Sequence, residues 1–447
     1  MVKRLLTGII HVICFFIVSS GIMAQDFAFS LKEAREFAVK NSYEIKNSQF
    51  DLEIAQKKVK ENLAYGFPQI DATLDYNYYL ALPTSLIPGE FFGQPGEYLE
   101  VQFGTKNNLT AGVTLNQLIF DGRYFIGLQY ARISEQLSRE SLEKSTEDVI
   151  ETVSQTYYNI LVGEEALRVL DSTLTVLQKI RYETGELLKE GFAELTDYDQ
   201  LTLTVAGIQN SINSVKRQNE IGYKLLNYQM GIELDQQVTL TESLDEIIEQ
   251  AAIEAVLEER FIIENNIDYR LINSQEKMKM LGLKNERAAY YPSLKGFLFL
   301  QENAQRDAFT FFDMNEPWYL TSIAGLSMQV PIFSSGMRKH RVSQARLDLE
   351  KIRNTKLQVS EGLKLTVSRA RLDFRTALEN FLREKQNVQL SKNIYERTLV
   401  KYNEGLAGSL ELTQQHNQFL DAEQNYFQTA LSLLDAKNRL DKVLGNY

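Results

Sequence analysis

The stretch AGVTLNQLIFDG at residues 111–122 returns in the second half of the chain as AGLSMQVPIFSSG at residues 324–336. Both copies begin with Ala-Gly, and both carry Ile-Phe shortly before a glycine. An internal repeat has to be settled first, because it decides the whole architecture. We therefore ask how far the duplication extends on either side of these two stretches.

The duplication covers most of the chain, over roughly residues 41–231 and 265–447. The two copies keep the same landmarks in the same order, so the sequence predicts two tandem versions of one unit. The matching landmarks are NSYEI (41–45) and NNIDY (265–269), Pro68 and Pro292, KEGFA (189–193) and NEGLA (403–407), and Gly231 and Gly445.

The first residues have the composition of a targeting segment. Lys3 and Arg4 precede an apolar run at residues 5–22, and Ala24 follows it. This pattern predicts a signal peptide over residues 1–24, and an uncleaved membrane anchor is the alternative because the run is nearly long enough to span a bilayer. Cys14 is the only cysteine, so the mature chain has no thiol, disulfide or lipid anchor, as suits an exported protein.

Composition and motifs exclude several classes of function. Removal of Lys3 and Arg4 takes the formal net charge from −11 to −13, which makes nucleic acid an unsuitable partner. Beyond residue 24 the only histidines are His340 and His416, and neither has a second ligand at metal spacing. No nucleophile elbow, P-loop or dinucleotide fingerprint occurs. We therefore predict no catalytic residue, no metal site, no cofactor and no enzymatic activity.

Each copy contains two segments with strand periodicity. Apolar residues recur at every second position from Ile70 to Leu80 and again across residues 109–116, and noisier versions follow at 294–301 and 320–330. Alternating segments of about ten residues are typical of transmembrane β-strands, although a soluble sheet gives the same pattern. Four strands cannot close a barrel in lipid, so either the sheet is soluble or several chains share one barrel.

Long helices follow the second strand of each copy. No proline interrupts the chain from Gly122 to about Leu188 or from Gly336 to about Tyr402, so each helix is predicted to run to roughly 100 Å. Apolar residues in the second helix recur at coiled-coil spacing, which indicates helix packing. They are Leu363, Val367, Ala370, Phe374, Ala377 and Phe381.

Each long helix is predicted to end at a glycine, Gly191 or Gly405, and to turn back near a polar capping residue, Thr196 or Ser409. A shorter helix then closes each copy. The aromatic-rich loops at 82–108 and 302–318 favour packing within the loop or an interfacial aromatic belt over ligand binding.

Between the copies, residues 233–264 hold ten acidic residues and one basic residue, Arg260, which is typical of a solvated linker or a side domain.

The ordered set of features resembles the TolC-like outer-membrane efflux family over essentially the whole mature chain. The resemblance rests on the signal peptide, the doubled helix, strand, strand, helix, helix order, the prolines before the strands, Ile-Phe before the long helices and Glu-Gly-x-Ala at the turns. It implies a mainly α fold with a β-barrel, in which three chains contribute four strands each to one 12-stranded outer-membrane barrel, continued by a long α-helical periplasmic tunnel. The first repeat is then 25–231, an acidic equatorial segment is 232–264, and the second repeat is 265–447.

The resemblance also implies a function. The chain would be a passive exit duct of a tripartite efflux or type I secretion system, conducting substrates from the periplasm or an inner-membrane pump to the exterior. Its partners would be two further copies in a homotrimer, outer-membrane lipid, a periplasmic adaptor (membrane fusion) protein and an inner-membrane pump of RND or ABC type. The alternative is a periplasmic coiled-coil scaffold or adaptor without a pore, whose strands would have no reason to present an apolar face to lipid.

Members of the family narrow their tunnel at the helical turns, where acidic side chains point to the axis. The matching positions are Glu411 and Asp197, and each would form a ring of three charges that favours cations. An ordinary acidic residue in the first turn of a helix is the alternative.

Tyr402 matches a family tyrosine that shortly precedes the turn glycine. Some members have an arginine where this chain has Ala407, and a further acidic position is Gln414 here. We therefore expect a closure held by Tyr402 and helix packing instead of salt bridges. Small residues at the turns would admit an adaptor closely, namely Gly191, Ala193, Gly405, Ala407 and Gly408.

Overall fold

A computed structural model describes residues 27–93, 96–254 and 260–446, and the predicted signal peptide lies outside the described residues. The first repeat begins with a short strand and two helices, and four strands and two long helices follow. Its elements are β1 Phe27–Phe29, α1 Leu31–Asn41, α2 Tyr43–Ala64, β2 Gln69–Tyr78, β3 Thr84–Pro88, β4 Tyr98–Gln102, β5 Asn107–Phe120, α3 Gly122–Lys189 and α4 Leu195–Met230.

A short strand and a helix connect the repeats, and the second repeat follows the order of the first without the small strand pair in its loop. The elements are β6 Val238–Leu240, α5 Leu244–Glu254, α6 Ile267–Ala288, β7 Ser293–Arg306, β8 Tyr319–Gln329, α7 Met337–Asn403 and α8 Ser409–Leu444. The four predicted strands, now β2, β5, β7 and β8, and the two long helices lie where the periodicity places them, whereas β3 and β4 lie inside the predicted loop at 82–108.

The main sheet has four antiparallel strands in the order β2, β5, β7, β8. Ile70 pairs with Leu115, which pairs in turn with Leu298, so these three side chains share one face. Asp71 and Thr114 pair on the opposite face. The sheet therefore has an apolar face and a more polar face, and β2 and β8 form its two open edges.

The long helices pack as two antiparallel hairpins, α3 with α4 and α7 with α8. The residues predicted to form the coiled-coil seam on α7 turn inward: Leu363, Val367, Phe374 and Phe381 are all buried. One apolar cluster lies near the middle of the helices, and a second cluster lies toward the turns. The heptad spacing thus marks the hairpin core, because side chains at this spacing recur on one face of a helix.

The structure of the turns between the hairpin helices shows that the predicted capping residues were wrong. Gly191 and Gly405 do end the long helices with positive φ values of 77° and 72°, which glycine adopts without strain. The residues that begin the next helices, however, are Glu194 and Gly408, with no side-chain cap hydrogen bond. Thr196 and Ser409 were therefore wrongly predicted as caps. They lie inside the first helical turn, where the Ser409 hydroxyl is engaged elsewhere.

The acidic segment between the repeats contains folded structure. Its strand β6 pairs in parallel with β1, and Ile247 and Ile248 of α5 are buried in the central apolar cluster. A carboxylate oxygen of Glu242 accepts a hydrogen bond from the Leu31 amide at 2.6 Å, at the start of α1. The segment is thus a small side domain that ties the N-terminal strand to the helices, with its acidic residues mostly on the outside.

The loop between β7 and β8 packs against the sheet. Phe309 and Phe311 meet the Tyr76 ring edge-on at centroid distances of 5.6 and 5.9 Å. Phe311 is buried, whereas Phe312 beside it is exposed. These contacts hold the loop on the sheet, and the choice between packing within the loop and an interfacial aromatic belt stays a prediction for Trp318, Phe91 and Phe92.

Candidate pore wall and helical tip

The turns after α3 and α7 form the far end of the helical part, which we call the helical tip (residues 184–197 and 398–411). Two side-chain hydrogen bonds join the two hairpins here. The hydroxyl groups of Thr184 and Tyr402 share one at 2.7 Å. The Ser409 hydroxyl donates the other to the Asp197 carboxylate. Each bond links the first repeat to the second, so together they hold the hairpins in register at the tip.

Tyr402 is half-buried, and its ring packs against the apolar cluster near the turns. Its partner Thr184 is buried and also donates to the Ile180 carbonyl oxygen at 2.9 Å, one turn earlier on α3. Sequence reasoning selected Tyr402 but missed Thr184. The available signal was the repeat itself, because Thr184 and buried Thr398 occupy equivalent positions before the two turn glycines.

The two acidic candidates, Asp197 and Glu411, occupy the same place in their helices, in the first turn of α4 and of α8. Their surroundings differ. Asp197 is half-buried and accepts the hydrogen bond from Ser409, whereas Glu411 is exposed to solvent. The structure therefore ties down the Asp197 carboxylate and leaves the Glu411 carboxylate free in solvent.

The small residues at the tip leave open space. A Cβ atom added at Gly191, Gly405 or Gly408 would meet nothing within 4 Å. Sequence reasoning missed the most exposed apolar side chains nearby: Phe192 is 82% and Leu406 is 78% exposed. They are repeat equivalents, and the third letter of the EGFA and EGLA motifs was the signal. Large apolar side chains in water at such a site indicate a surface that another molecule covers.

The opposite end of the molecule carries the apolar face of the sheet. Leu74 on β2 and Leu326 on β8 are each 71% exposed, and Ile70, Tyr76 and Met328 are exposed beside them. These exposed apolar side chains lie on one face of the sheet at both of its edges, and apolar surface of this kind marks a site that lipid or another protein covers. The polar side chains of the opposite face, such as Asp71, suit a water-filled interior.

A second uncovered apolar surface runs along the helices. Exposed leucines recur along the outside of α7, and exposed Tyr43, Phe50 and Ile54 lie on α2. We call the leucines the α7 stripe: Leu347, Leu357, Leu365, Leu372, Leu382 and Leu390.

A family model described as outer membrane efflux protein matches residues 35–226 and 283–446. The chain belongs to the outer membrane efflux protein family. The match covers both repeats and leaves out most of the acidic segment between them. It places the protein in the outer membrane with its helical part in the periplasm.

Solved structures share the fold of this efflux protein. CusC, whose structures concern folding and transmembrane channel formation, matches with a TM-score of 0.73 at 14% identity over 94% of this chain and 93% of that chain. The CmeC outer membrane channel of Campylobacter jejuni gives 0.72 at 17% identity over 93% and 85%. The outer membrane protein VceC of Vibrio cholerae gives 0.69 at 12% identity over 93% and 96%. No curated protein sequence matches the chain.

These findings confirm the expected fold class, mainly α with barrel strands in two repeats. The protein has the role of an efflux channel, and its family and structural neighbours are channels, not enzymes. Among the described residues, no helix is both long and apolar enough to cross a membrane. Within the same ranges, no three His, Cys, Asp or Glu side chains are grouped as metal ligands.

One charged cluster of the efflux protein lies far from the tip, where α3 meets α8. The Lys442 ammonium lies 2.5 Å from carboxylate oxygens of both Asp148 and Glu151. Glu147 beside them is half-buried, and burial raises its pKa to about 7, against the opposing effect of Lys442. This cluster joins the two repeats through ion pairs.

Proposed function

We propose that three copies of this chain form the exit duct of a tripartite efflux or type I secretion system, and that the duct conducts substrates passively to the cell exterior. A periplasmic adaptor protein couples it to an inner-membrane pump of RND or ABC type. The observation that carries this proposal is the four-stranded sheet, whose edges are open and whose exposed face is apolar. Open edges in lipid leave backbone groups without partners, so further copies have to close the sheet.

The internal repeat predicts how β8 of one copy pairs with β2 of the next. Within the chain, Val113 on β5 pairs with Leu300 on β7. Leu326 on β8 is the equivalent of Val113, since each follows the Ala-Gly that opens its repeated stretch. Tyr76 on β2 is the equivalent of Leu300, since they lie equally far beyond the matching prolines of the two repeats. Leu326 of one copy therefore pairs with Tyr76 of the next.

A second pair follows by the same reasoning. Leu115 pairs with Leu298 within the chain, and their repeat equivalents are Met328 and Leu74, so Met328 of one copy pairs with Leu74 of the next. All four side chains lie on the apolar face, although face was not used to choose the register. A register shifted by one position would instead set apolar against polar side chains.

The helices support the same contact. Helix α6 lies between α3 and α7, and its Ile267 and Ser274 are buried. The equivalent positions on α2 are Tyr43 and Phe50, which are exposed because α2 packs against α3 without a second long helix of the described chain on its other side. Helix α7 is the repeat equivalent of α3, so the α7 stripe of a second copy fits this surface. The strands and the helices thus predict the same neighbouring copy, with β8 beside β2 and α7 beside α2.

At the helical tip, closure rests on the hydrogen bonds of Tyr402 and Asp197 and on helix packing. Ala407 and Gln414 carry no charge, so no salt-bridged lock forms at these positions. Three copies place Glu411 in a ring of exposed carboxylates, which favours the passage of cations.

Asp197 contributes less to such a ring, because Ser409 already engages its carboxylate. The adaptor docks on the tip, where Gly191, Ala193, Gly405, Ala407 and Gly408 admit close approach and exposed Phe192 and Leu406 offer apolar contact.

Cysteine cross-linking tests the proposed assembly. We expect the pair Leu326→Cys and Tyr76→Cys to give a covalent trimer under oxidation in outer-membrane fractions, because directly paired strand positions have Cβ atoms about 5 Å apart. The matched control pairs Leu326→Cys with Asn77→Cys, whose side chain points to the other face. The only natural cysteine, Cys14, lies in the predicted signal peptide.

Equal cross-linking of both pairs would contradict the register. A soluble monomer of about one chain mass would contradict the duct and restore the periplasmic scaffold as the explanation of the coiled-coil spacing.

A further inference from the structure

His416 lies on α8, two helical turns beyond the start of that helix at the tip. Its side chain is fully buried. The Tyr395 ring of α7 faces it at a centroid distance of 5.3 Å, and Tyr395 stacks in turn on Phe419 at 5.7 Å. Tyr395 and Phe419 belong to the apolar cluster that joins the two hairpins near the turns. His416 lies on the same face of α8 as Leu412 and Phe419, two members of that cluster, so it borders the seam between the hairpins that has to loosen if the tip opens.

This seam contains polar atoms with no partner. Among the described residues, neither ring nitrogen of His416 has a hydrogen-bond partner, and the same holds for the Tyr395 hydroxyl and for Oγ1 of Thr413, one turn before His416. A buried polar group without a hydrogen bond disfavours the packed state, because water would satisfy that group once the packing opens. A leucine would fill the same space without this cost. His416 therefore destabilises the closed seam relative to an open form in which water reaches the ring.

In the part of the chain that the structure describes, no charged group offsets the effect of burial on the His416 ring. From α7 the facing titratable group is Tyr395, and burial raises the pKa of its hydroxyl. From α3 and α4 this cluster brings apolar side chains to the seam, namely Leu177, Ile180, Leu201, Val205, Ile208 and Ile212. Burial alone lowers the pKa of His416, to about 4. Within the described ranges, no carboxylate is placed to stabilise an imidazolium here.

We propose that His416 makes the gate acid-sensitive: the closed seam accepts only the neutral imidazole, so a proton on the ring drives the α7–α8 hairpin away from the α3–α4 hairpin at the tip. The inference rests on the proposed function, because it concerns the gate of that duct. The ligand of this site is the proton itself, and the movement exposes Tyr395, Thr413 and His416 to water together.

The sign of the effect follows from proton linkage. The closed form binds fewer protons than a form in which water reaches the ring, so closure is fully favoured above the ordinary histidine value of 6.5 and weakens as the pH falls toward about 4. Between pH 7.5 and pH 5.5 the opening equilibrium should rise about tenfold per chain. Three chains that move together would multiply this factor to at most about a thousandfold.

Channel recordings of the full-length trimer in planar bilayers test this at pH 7.5 and pH 5.5. We expect the open fraction of the wild type to rise at least tenfold in acid. His416→Leu should stay closed at both values, because leucine fills the seam without a titratable group. His340→Leu is the matched control, since His340 is the other histidine of the described residues and is exposed. It should behave as the wild type does.

Thiol labelling gives a second readout that needs no current. Thr413→Cys is buried in the seam, and the neighbouring Gln414→Cys is exposed, so the ratio of their maleimide labelling rates cancels the effect of pH on thiol ionisation. We expect this ratio to rise by about tenfold or more from pH 7.5 to pH 5.5.

An unchanged ratio overturns the inference even if His416→Leu fails to fold. Equal acid responses of the wild type and His416→Leu also overturn it. A trimer without conductance at either pH refutes the duct instead, and the labelling ratio still decides the role of His416.

Discussion

Replacing Tyr402 by phenylalanine removes the hydroxyl that joins α7 to α3 at the helical tip and keeps the ring in place. The lost hydrogen bond to Thr184 measures 2.7 Å and is partly buried. Such a bond between neutral groups contributes about 1 kcal/mol net. Thr184 keeps its bond to the Ile180 carbonyl, so no stranded polar group adds to the loss. We therefore expect a loss of about 1 kcal/mol of closing free energy per chain.

If three copies open together, the combined loss of about 3 kcal/mol raises the open fraction by about 150-fold. Single-channel recordings of purified trimer in planar bilayers at pH 7.5 measure this directly. Tyr182→Phe is the matched control, because Tyr182 lies on α3 near the same end and is exposed. Thermal unfolding of both variants shows whether the trimers remain folded. An open fraction of Tyr402→Phe that matches the wild type would refute a closure held by Tyr402.

Two further predictions concern charge. Glu411→Gln should lower the preference for K⁺ over Cl⁻ by about twofold or more, measured as the reversal potential in a salt gradient. Asp197→Asn should change this preference less, because Ser409 engages that carboxylate, and equal shifts would contradict the difference between the two acids. Glu147→Gln should raise the thermal unfolding midpoint at pH 8 and leave it unchanged at pH 4.5. Burial favours the neutral carboxyl of Glu147, so the wild type loses folding stability as the pH rises from 4.5 through about 7 and this group ionises, whereas glutamine stays neutral. We expect about 1 kcal/mol after solvent screening, and a midpoint that rises equally at both pH values would contradict this.

Most of the fold could be predicted from the sequence because its signals are local and occur twice. The absence of proline and the terminal glycines locate the ends of α3 and α7, and strict alternation locates β2. Strand β7 was noisier for a physical reason. Phe297 and Phe299 break the alternation on the polar face, where the Phe297 ring covers Gly325 and the Phe299 ring lies near Gly112 on the neighbouring strands. An aromatic ring over a cross-strand glycine stabilises a sheet without following the apolar pattern.

The candidate site could be predicted only in part, because its contacts depend on how the two hairpins lie against each other. The sequence indicates that Tyr402 and Asp197 sit at the turns. It does not show that Tyr402 meets Thr184 or that Asp197 meets Ser409, since those partners belong to the other repeat and are far away along the chain. His416 was set aside as a histidine without a second metal ligand. Its burial beside the apolar cluster that joins the hairpins emerges only when both are packed together.

The inequality of the two acids at the tip follows from a single difference between the repeats. Ser409, which donates to Asp197, has Leu195 as its equivalent in the first repeat. Leucine has no hydroxyl, and Leu195 is exposed, so Glu411 cannot receive the corresponding hydrogen bond. The same fold thus uses one acid to hold the hairpins together and leaves the other in solvent. In a ring of three copies, this substitution would leave three free carboxylates where an exact repeat would have none.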